Sequence, residues 1–386
     1  MVALVHDFLL DLRGAERVFL ELCEIWPQAP IFTTVYDEEG TEGRFAGRAL
    51  HTSFLQRSRP SSRTFRALLP FYPAAVESFD LSDYDLVISS SSAWAHGVVV
   101  APSSVHVSYC HNPFRYAWNE RDRTLSRCRD PVTKACLDVI LRRWRQWDRR
   151  IARRTDRYVA NSRTTQVRIR TFFGRESAVV HPPVQVDRFS PGPVADHYAL
   201  LSELLPHKQV DVAIAAFNRL RLPLVIIGDG PDARRLRRHA GPMIRFVGRV
   251  SDQSVTEILR GARALVQPSV EEFGIAAVES QAAGRPVIAR RAGGALETVL
   301  DGTTGCLWDG GPEDLARAVL SFDDTAVDPR ACLRNAARFD VASFRTGIMA
   351  EVESACASRS HSAARDGRGA FRMDRLPDAA PDIYTG

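Results

Sequence analysis

Short apolar, β-branched runs recur along the chain, with helical patterns between them. The first series is VALVH (2–6), IFTTV (31–35), LVISS (86–90), VHVSY (105–109), RYVANS (157–162) and SAVVHPP (177–183). The second is YALLS (198–202), PLVIIGDG (223–230), IRFVG (244–248), ALVQPS (264–269) and PVIARR (286–291). Between them, AERVFLELCEIW (15–26), VDVAIAAFNRL (210–220) and SVTEILRGA (254–262) place apolar residues at helical spacing. Strands alternating with helices predict parallel sheets covered on both faces. Two series predict two α/β domains, 1–186 and 187–340, which would make a deep cleft if they face each other. The HPPVQVDRFSPGPVADH stretch (181–197) holds four Pro and no helical period, and reads as linker and hinge. Residues 331–358 read as C-terminal helices, and the polar tail 359–386 as disordered.

Composition narrows the class. Of the 386 residues, 45% are hydrophobic and 25% charged, which excludes a mainly disordered, fibrous or disulfide-scaffold chain. The charge-free stretch between Asp85 and Arg115 carries seven Ser and two Pro, so it reads as buried strands and loops, and no membrane span is expected. The opening MVALVHDFLL has no basic leader, so no signal peptide is expected. The seven cysteines include no C-x-x-C pair, which argues against a zinc site or disulfide framework and for a reducing cytoplasm.

The basic residues are lopsided: 49 Arg and two Lys, Lys134 and Lys208, within a net charge of +5. Residues 43–76 hold six Arg and no acid; residues 141–175 hold twelve Arg and two Asp. In LRRWRQWDRRIARRTDRY (141–158), Leu141, Trp144, Trp147, Ile151 and Tyr158 approximate one helical face. Two readings stand: a packed helix with a solvated basic face, or a basic amphipathic helix on an anionic membrane surface. The 43–76 stretch adds Phe54, Leu55, Phe65, Leu68, Leu69, Phe71 and Tyr72 to the same arginine-rich surface. No nucleic-acid module accompanies the charge, and no nucleic-acid partner is expected.

In open α/β sheets, ligands bind beyond the carboxyl ends of the strands. After ALVQPS comes VEEFGIAAVESQAAGRPVIARRAGGALETV (270–299). Glu271 ends a loop, Phe273-Gly274-Ile275 opens a helix, and Glu279 is placed about two turns in. Free N–H groups at a helix start bind anions, and carboxylates accept from sugar hydroxyls. The plain alternative is a helix with favourable acids near its start.

This segment resembles the donor-site motif of glycosyltransferase family 4, retaining enzymes of the GT-B fold with two Rossmann-like domains. HDFLLDLRGAERV (6–18), SYCHNPFRYAWNERD (108–122), NSRTTQVRIRTFFGRESAVVHPPVQVDRF (161–189) and HKQVDVAIAAFNRLRLPLVIIGDGPD (207–232) extend the resemblance over about residues 2–350. Within that family it resembles bacterial mannosyltransferases of O-antigen and exopolysaccharide assembly. The resemblance implies that Glu279 binds the nucleotide ribose and Glu271 the donor-sugar hydroxyls. The backbone of Phe273, Gly274 and Ile275 would contact sugar and diphosphate, and Lys208 the phosphates. Gly14 matches a glycine-rich turn that contacts phosphate or acceptor; the alternative is an ordinary tight turn. His111 matches a histidine that approaches donor sugar and acceptor, with a satisfied structural histidine as the alternative. Arg115 and Tyr116 could shape the acceptor site, and Asp7 follows the first strand without an assigned role. Residues 341–358 would pack back on the N-terminal domain.

One residue departs from the family. Five positions before Lys208, where a second phosphate-binding Arg is common, stands Glu203. A carboxylate repels a diphosphate. Either another cation substitutes, with Arg249 and Arg290 as candidates, or the site is weakened.

Weaker signals point elsewhere. GDGPDA (228–233) fits a dinucleotide fingerprint but does not open a domain. Asp83-Tyr84-Asp85 looks like a metal-binding D-x-D but precedes a strand, His106 and His111 are poorly spaced to chelate, and no metal is expected. The Ser89–Ser92 run lacks a nucleophile elbow.

The expectation is a metal-independent retaining hexosyltransferase with no cofactor beyond its nucleotide-sugar co-substrate, GDP-mannose by resemblance. Its acceptor would be a polyprenyl-diphosphate-linked glycan, and its place the inner face of the cell membrane. The alternatives are a non-catalytic nucleotide-sugar-binding scaffold and a sugar-nucleotide epimerase of the same fold.

Overall fold

The computed structural model describes residues 1–62 and 64–365. Two units share the chain: Met1–Val180 with the segment from Arg345 onward, and His181–Phe344. In the first unit, β1 (Val2–His6), β2 (Ile31–Thr33), β3 (Leu50–Thr52), β4 (Leu86–Ser91), β5 (Val105–Cys110), β6 (Arg157–Ala160) and β7 (Ser177–Val179) form one sheet. Its order is β3-β2-β1-β4-β5-β6-β7, parallel throughout. In the second, β8 (Tyr198–Leu201), β9 (Leu224–Ile227), β10 (Ile244–Gly248), β11 (Leu265–Gln267), β12 (Val287–Arg290) and β13 (Gly305–Trp308) are ordered β10-β9-β8-β11-β12-β13, again all parallel. Both are Rossmann-like α/β sheets. Central strands such as β4 and β5 are buried along their whole length, as helices on both faces require.

Strand order reverses at β1/β4 in one sheet and at β8/β11 in the other. A crevice opens at the carboxyl ends of such a strand pair, because the following connections leave toward opposite faces. Residues after β1, β4, β8 and β11 are therefore placed to meet ligands.

Several expectations change. β3 and β13 were not anticipated: both are short edge strands, and β3 shows no buried alternation. The proline-rich 181–197 stretch is not a free linker. The chain passes between units at 180/181, and Val184 and Phe189 lie in the core of the second unit. Arg285 clamps the stretch by donating to Gly192 O and Arg260 O. The tail is not irregular from residue 359: one helix runs Val341–Arg365, and residues 366–386 lie outside the described residues. From Arg345 onward this helix belongs to the first unit, pairing Arg345 with Glu21, Glu351 with Arg157 and Arg359 with Asp156.

The arginine-rich segment is the helix Pro131–Ile151, while Tyr158 sits on β6. Leu141, Trp144, Trp147 and Ile151 are buried in the core of the first unit, against Trp94 and Phe114. Arg142, Arg143, Arg149 and Arg150 face outward. The apolar face of this helix is thus occupied by its own unit. No helix among the described residues is long and apolar enough to cross a membrane.

Candidate functional site

At the β8/β11 reversal, the chain leaving β8 turns through Pro206–Lys208 and enters the helix Val210–Leu220. The chain leaving β11 runs through Ser269 and Glu271 to Gly274, which caps the helix Ile275–Ala282 at φ +94°. The two connections meet. Lys208 Nζ donates to Glu271 Oε2 at 2.6 Å, and Ser269 Oγ donates to Glu271 Oε1 at 2.5 Å. Two residues 63 apart in sequence, singled out separately, form one site. Each side chain is about one-fifth exposed, so the pair is partly desolvated yet open to a ligand.

The AGGALE segment explains why the loop lies where it does. A Cβ on Gly293 would collide with the Glu271 carbonyl, and one on Gly294 with Phe273 O. Only glycine permits this approach, and Gly294 N–H binds Glu271 O at 2.9 Å. Phe273 is buried beside His181 and Phe339, so it anchors the loop by packing while its backbone remains at the helix start. His181 in turn bonds Glu297 at 2.9 Å.

Glu279 stands one turn into its short helix rather than two. Its Oε1 meets Arg188 Nη2 at 3.4 Å, and Arg188 also donates to Asp252 at 2.8 Å. Arg188 was not anticipated, because pairing across 91 residues leaves no local pattern. Gln267 was also missed. It ends β11, is 6% exposed, packs against Gly274, and its amide oxygen and nitrogen have no hydrogen-bond partner among the described residues. A buried amide in this state has unmet capacity beside the helix start.

The two replacement cations differ. Arg290 ends β12 beside β11 and donates to Gln209 Oε1 at 3.0 Å, next in sequence to Lys208. Arg249 is exposed after β10, with β9 between that strand and β8. Arg290 is thus bonded to the residue adjoining Lys208, and Arg249 lies at the far edge strand. The GDGPDA glycines have a packing role: side chains at Gly228 or Gly230 would strike the backbone of Ser202 or Leu204.

In the first unit, Asp7 follows β1 and is buried. It accepts from the N–H groups of Ser92, Trp94 and Ala95, which fixes the turn after β4. His111 follows β5 and bonds Ser90 Oγ through Nε2 at 2.8 Å. Burial, with His6 beside it, pushes its pKa down to about 3, so the ring is neutral near pH 7. Gly14 opens the helix Gly14–Ile25 and is exposed; Glu16 Oε2 reaches back to Arg13 N–H at 3.0 Å. Arg115 pairs with Glu120 and Tyr116 packs on Phe114. Among the described residues, no cluster of three or more His, Cys, Asp or Glu is placed to hold a metal ion.

The chain matches two family models: Glycosyltransferase Family 4 over residues 12–188, and Glycosyl transferases group 1 over residues 197–323. It is 34% identical over 215 residues to a GDP-mannose-dependent alpha-(1-6)-phosphatidylinositol monomannoside mannosyltransferase of Mycolicibacterium smegmatis, covering 47% of this chain and 56% of that one. It is 32% identical over 213 residues to a D-inositol 3-phosphate glycosyltransferase of Streptomyces scabiei, covering 45% and 48%. The chain thus spans about half the length of the relatives it matches. Among solved structures, Anabaena HepE in complex with UDP and glucose superposes with a TM-score of 0.67 at 17% identity, covering 92% of this chain and 100% of that one. Sucrose-phosphate synthase from Thermosynechococcus elongatus gives 0.70 at 15% identity, covering 92% and 99%. These superpositions establish the fold shared with GT-B glycosyltransferases.

Proposed function

The chain belongs to glycosyltransferase family 4 and has the GT-B fold, and from that premise we propose that it is a retaining hexosyltransferase using a nucleotide sugar. The observation that carries this reading is the Lys208–Glu271 pair at the β8/β11 reversal, beside a glycine-capped helix start. Each member suits one part of a nucleotide sugar. The lysine takes the diphosphate, the glutamate takes sugar hydroxyls, and the Gly274–Ile275 amides face the anion. Glu279 takes the ribose diol, with Arg188 holding its carboxylate.

In the reaction, the bond from the anomeric carbon to the diphosphate oxygen breaks and a bond to the acceptor oxygen forms. The acceptor proton passes to the leaving diphosphate on the same face. Lys208 stabilises the charge that develops there. No side-chain nucleophile and no metal is required. Arg290 supports activity by supplying a second cation near Lys208, in place of the arginine that Glu203 displaces.

The resemblance to a GDP-mannose-dependent enzyme favours GDP-mannose as donor. A lipid-linked glycan acceptor and attachment to an anionic membrane surface rest on the first unit. There the candidate face is 54–71, not the Pro131–Ile151 helix: Phe54 and Phe71 are about half exposed beside exposed Arg57, Arg59 and Arg66, whereas Leu55 and Phe65 are buried. Cosedimentation with anionic but not neutral vesicles, lost in Phe54→Ser/Phe71→Ser, checks this face.

The deciding experiment is thermal stabilisation by GDP, UDP, ADP, dTDP and NAD, each with EDTA. A ligand at 100 times its dissociation constant adds about 2.7 kcal/mol. A shift with one nucleoside diphosphate, lost in Lys208→Ala, supports the reading and names the base; a shift with NAD alone sinks it. Glu203 favours a second reading, a non-catalytic binder. That reading requires stabilisation without release of nucleoside diphosphate in the presence of acceptor.

A further inference from the structure

β1, β4 and β5 are consecutive neighbours in the first sheet, and each carries a polar residue at or just past its carboxyl end. His6 closes β1, Ser90 is its registered partner on β4, and His111 follows β5. His111 Nε2 lies 2.8 Å from Ser90 Oγ, and the same oxygen lies 3.1 Å from His6 Nδ1. Beyond His6, its Nε2 faces Glu16 Oε1 at 3.7 Å. His6, Ser90 and Glu16 are nearly inaccessible to solvent, and His111 is 9% exposed. The rings cannot turn freely: Phe19 stacks on His6 at 4.6 Å and Tyr109 lies edge-on to His111 at 5.2 Å.

We propose, resting on the glycosyltransferase reading of this unit, that Glu16, His6 and Ser90 form a buried relay that holds His111 as its Nε2–H tautomer. The bare Nδ1 is then what His111 offers a ligand hydroxyl. The polarity follows from one fixed end. At 3.7 Å the Glu16–His6 contact is longer than a hydrogen bond, but the carboxylate attracts an N–H and repels a bare ring nitrogen, so His6 turns its Nε2–H toward Glu16 and leaves Nδ1 as an acceptor. Ser90 has one proton and gives it to His6 Nδ1. Its oxygen therefore accepts Nε2–H from His111. The fixed end is itself held, because the other oxygen of Glu16 accepts Arg13 N–H at the start of the helix Gly14–Ile25. Asp7 pins the backbone on the other side of Ser90 by accepting from the amides of Ser92, Trp94 and Ala95. His111 is neutral near pH 7, so its tautomer decides whether it accepts or donates. His6, Ser90 and Glu16 are positioning residues, since they act through His111.

The test is ¹⁵N NMR of the full chain labelled in histidine, with the His111 resonances assigned by their loss in His111→Gln. The expected result is the Nε2–H pattern for His111, lost or mixed in Ser90→Ala and kept in Ser90→Thr. Donor-dependent turnover should fall about tenfold or more in Ser90→Ala, with donor KM within about twofold, and recover in Ser90→Thr. An Nδ1–H His111 in the unmodified chain overturns the relay; a doubly protonated His6 would produce that result. A tautomer unchanged in Ser90→Ala overturns it as well. A Ser90-dependent Nε2–H tautomer in a chain that turns over no donor leaves the relay standing and overturns the transferase reading instead.

Discussion

The carboxyl ends of the two sheets use opposite chemistry. In the second unit, partly exposed charges are paired: Lys208 with Glu271, and Arg188 with Glu279. In the first, His6 and His111 are joined by hydrogen bonds through Ser90, with the Glu16 carboxylate beyond His6 and the Asp7 carboxylate bound to backbone amides. The difference matches what each end would do in the proposed reaction. In the proposed reaction a diphosphate brings its own charge to Lys208, while sugar hydroxyls and Ser269 donate to the Glu271 carboxylate. A hydroxyl carries no charge, and is oriented by which nitrogen of a neutral ring bears the proton. Exchangeable ion pairs suit binding of an anion; a fixed tautomer suits alignment of a neutral group.

The largest break in this comparison is Lys208→Ala. It removes the cation and leaves Glu271 uncompensated where the diphosphate should lie, so the substitution both withdraws stabilisation and adds repulsion. Loss of one group that stabilises developing charge costs about 10²–10³ in kcat. Release of nucleoside diphosphate from donor and acceptor should fall by at least that factor, with an unchanged circular dichroism spectrum. A variant within tenfold of the unmodified chain would show that Lys208 only pairs with Glu271.

Acid should distinguish the ends next, through stability. His111 and His106 are both neutral because burial pushes each pKa from 6.5 to about 3. A depressed histidine leaves the unfolded chain binding more protons between those values. Stability is therefore fully present above pH 6.5 and is lost as pH falls toward 3. At pH 5 each histidine lowers the unfolding free energy by about 2 kcal/mol relative to pH 8. Urea titrations of His106→Gln, which lies away from the proposed ligand end of the relay, should show a shallower acid slope than the unmodified chain. An identical slope would mean that His106 does not control it.

How much of this was legible in the sequence depends on the range of the interaction. Strands such as VALVH and the helix 210–220 are local patterns, and both were read closely. Glu271 was visible because strand ends of α/β sheets bind ligands, and Lys208 through the resemblance to the family. Their pairing was not, since nothing local joins residues 63 apart. His6 and Ser90 looked like ordinary ends of buried strands, and only the parallel register puts them in contact. The 181–197 prolines correctly signalled irregular backbone, but irregular backbone can still be packed, as Val184 and Phe189 are. On the helix that continues past residue 359, Arg359 pairs with Asp156, 203 residues away. Composition carries no trace of that contact.

The finest test concerns Arg188, which comes from that proline-rich stretch. Its guanidinium bridges Asp252 at 2.8 Å and Glu279 at 3.4 Å, and stacks over Phe189. The longer contact is to the residue proposed to hold the ribose, so Arg188 orients Glu279 without gripping it. Arg188→Ala should weaken nucleoside diphosphate binding by about three- to tenfold, the range of a partly exposed charge contact near 1 kcal/mol. Glu279→Ala should weaken it more, because it removes the acceptor itself. The double variant should match Glu279→Ala alone if Arg188 acts only through that carboxylate. Additive losses in calorimetric titration would instead mean that Arg188 touches the ligand directly. The second unit would then hold its anion with Lys208, Arg290 and Arg188, and Glu203 would stand among enough cations to be tolerated.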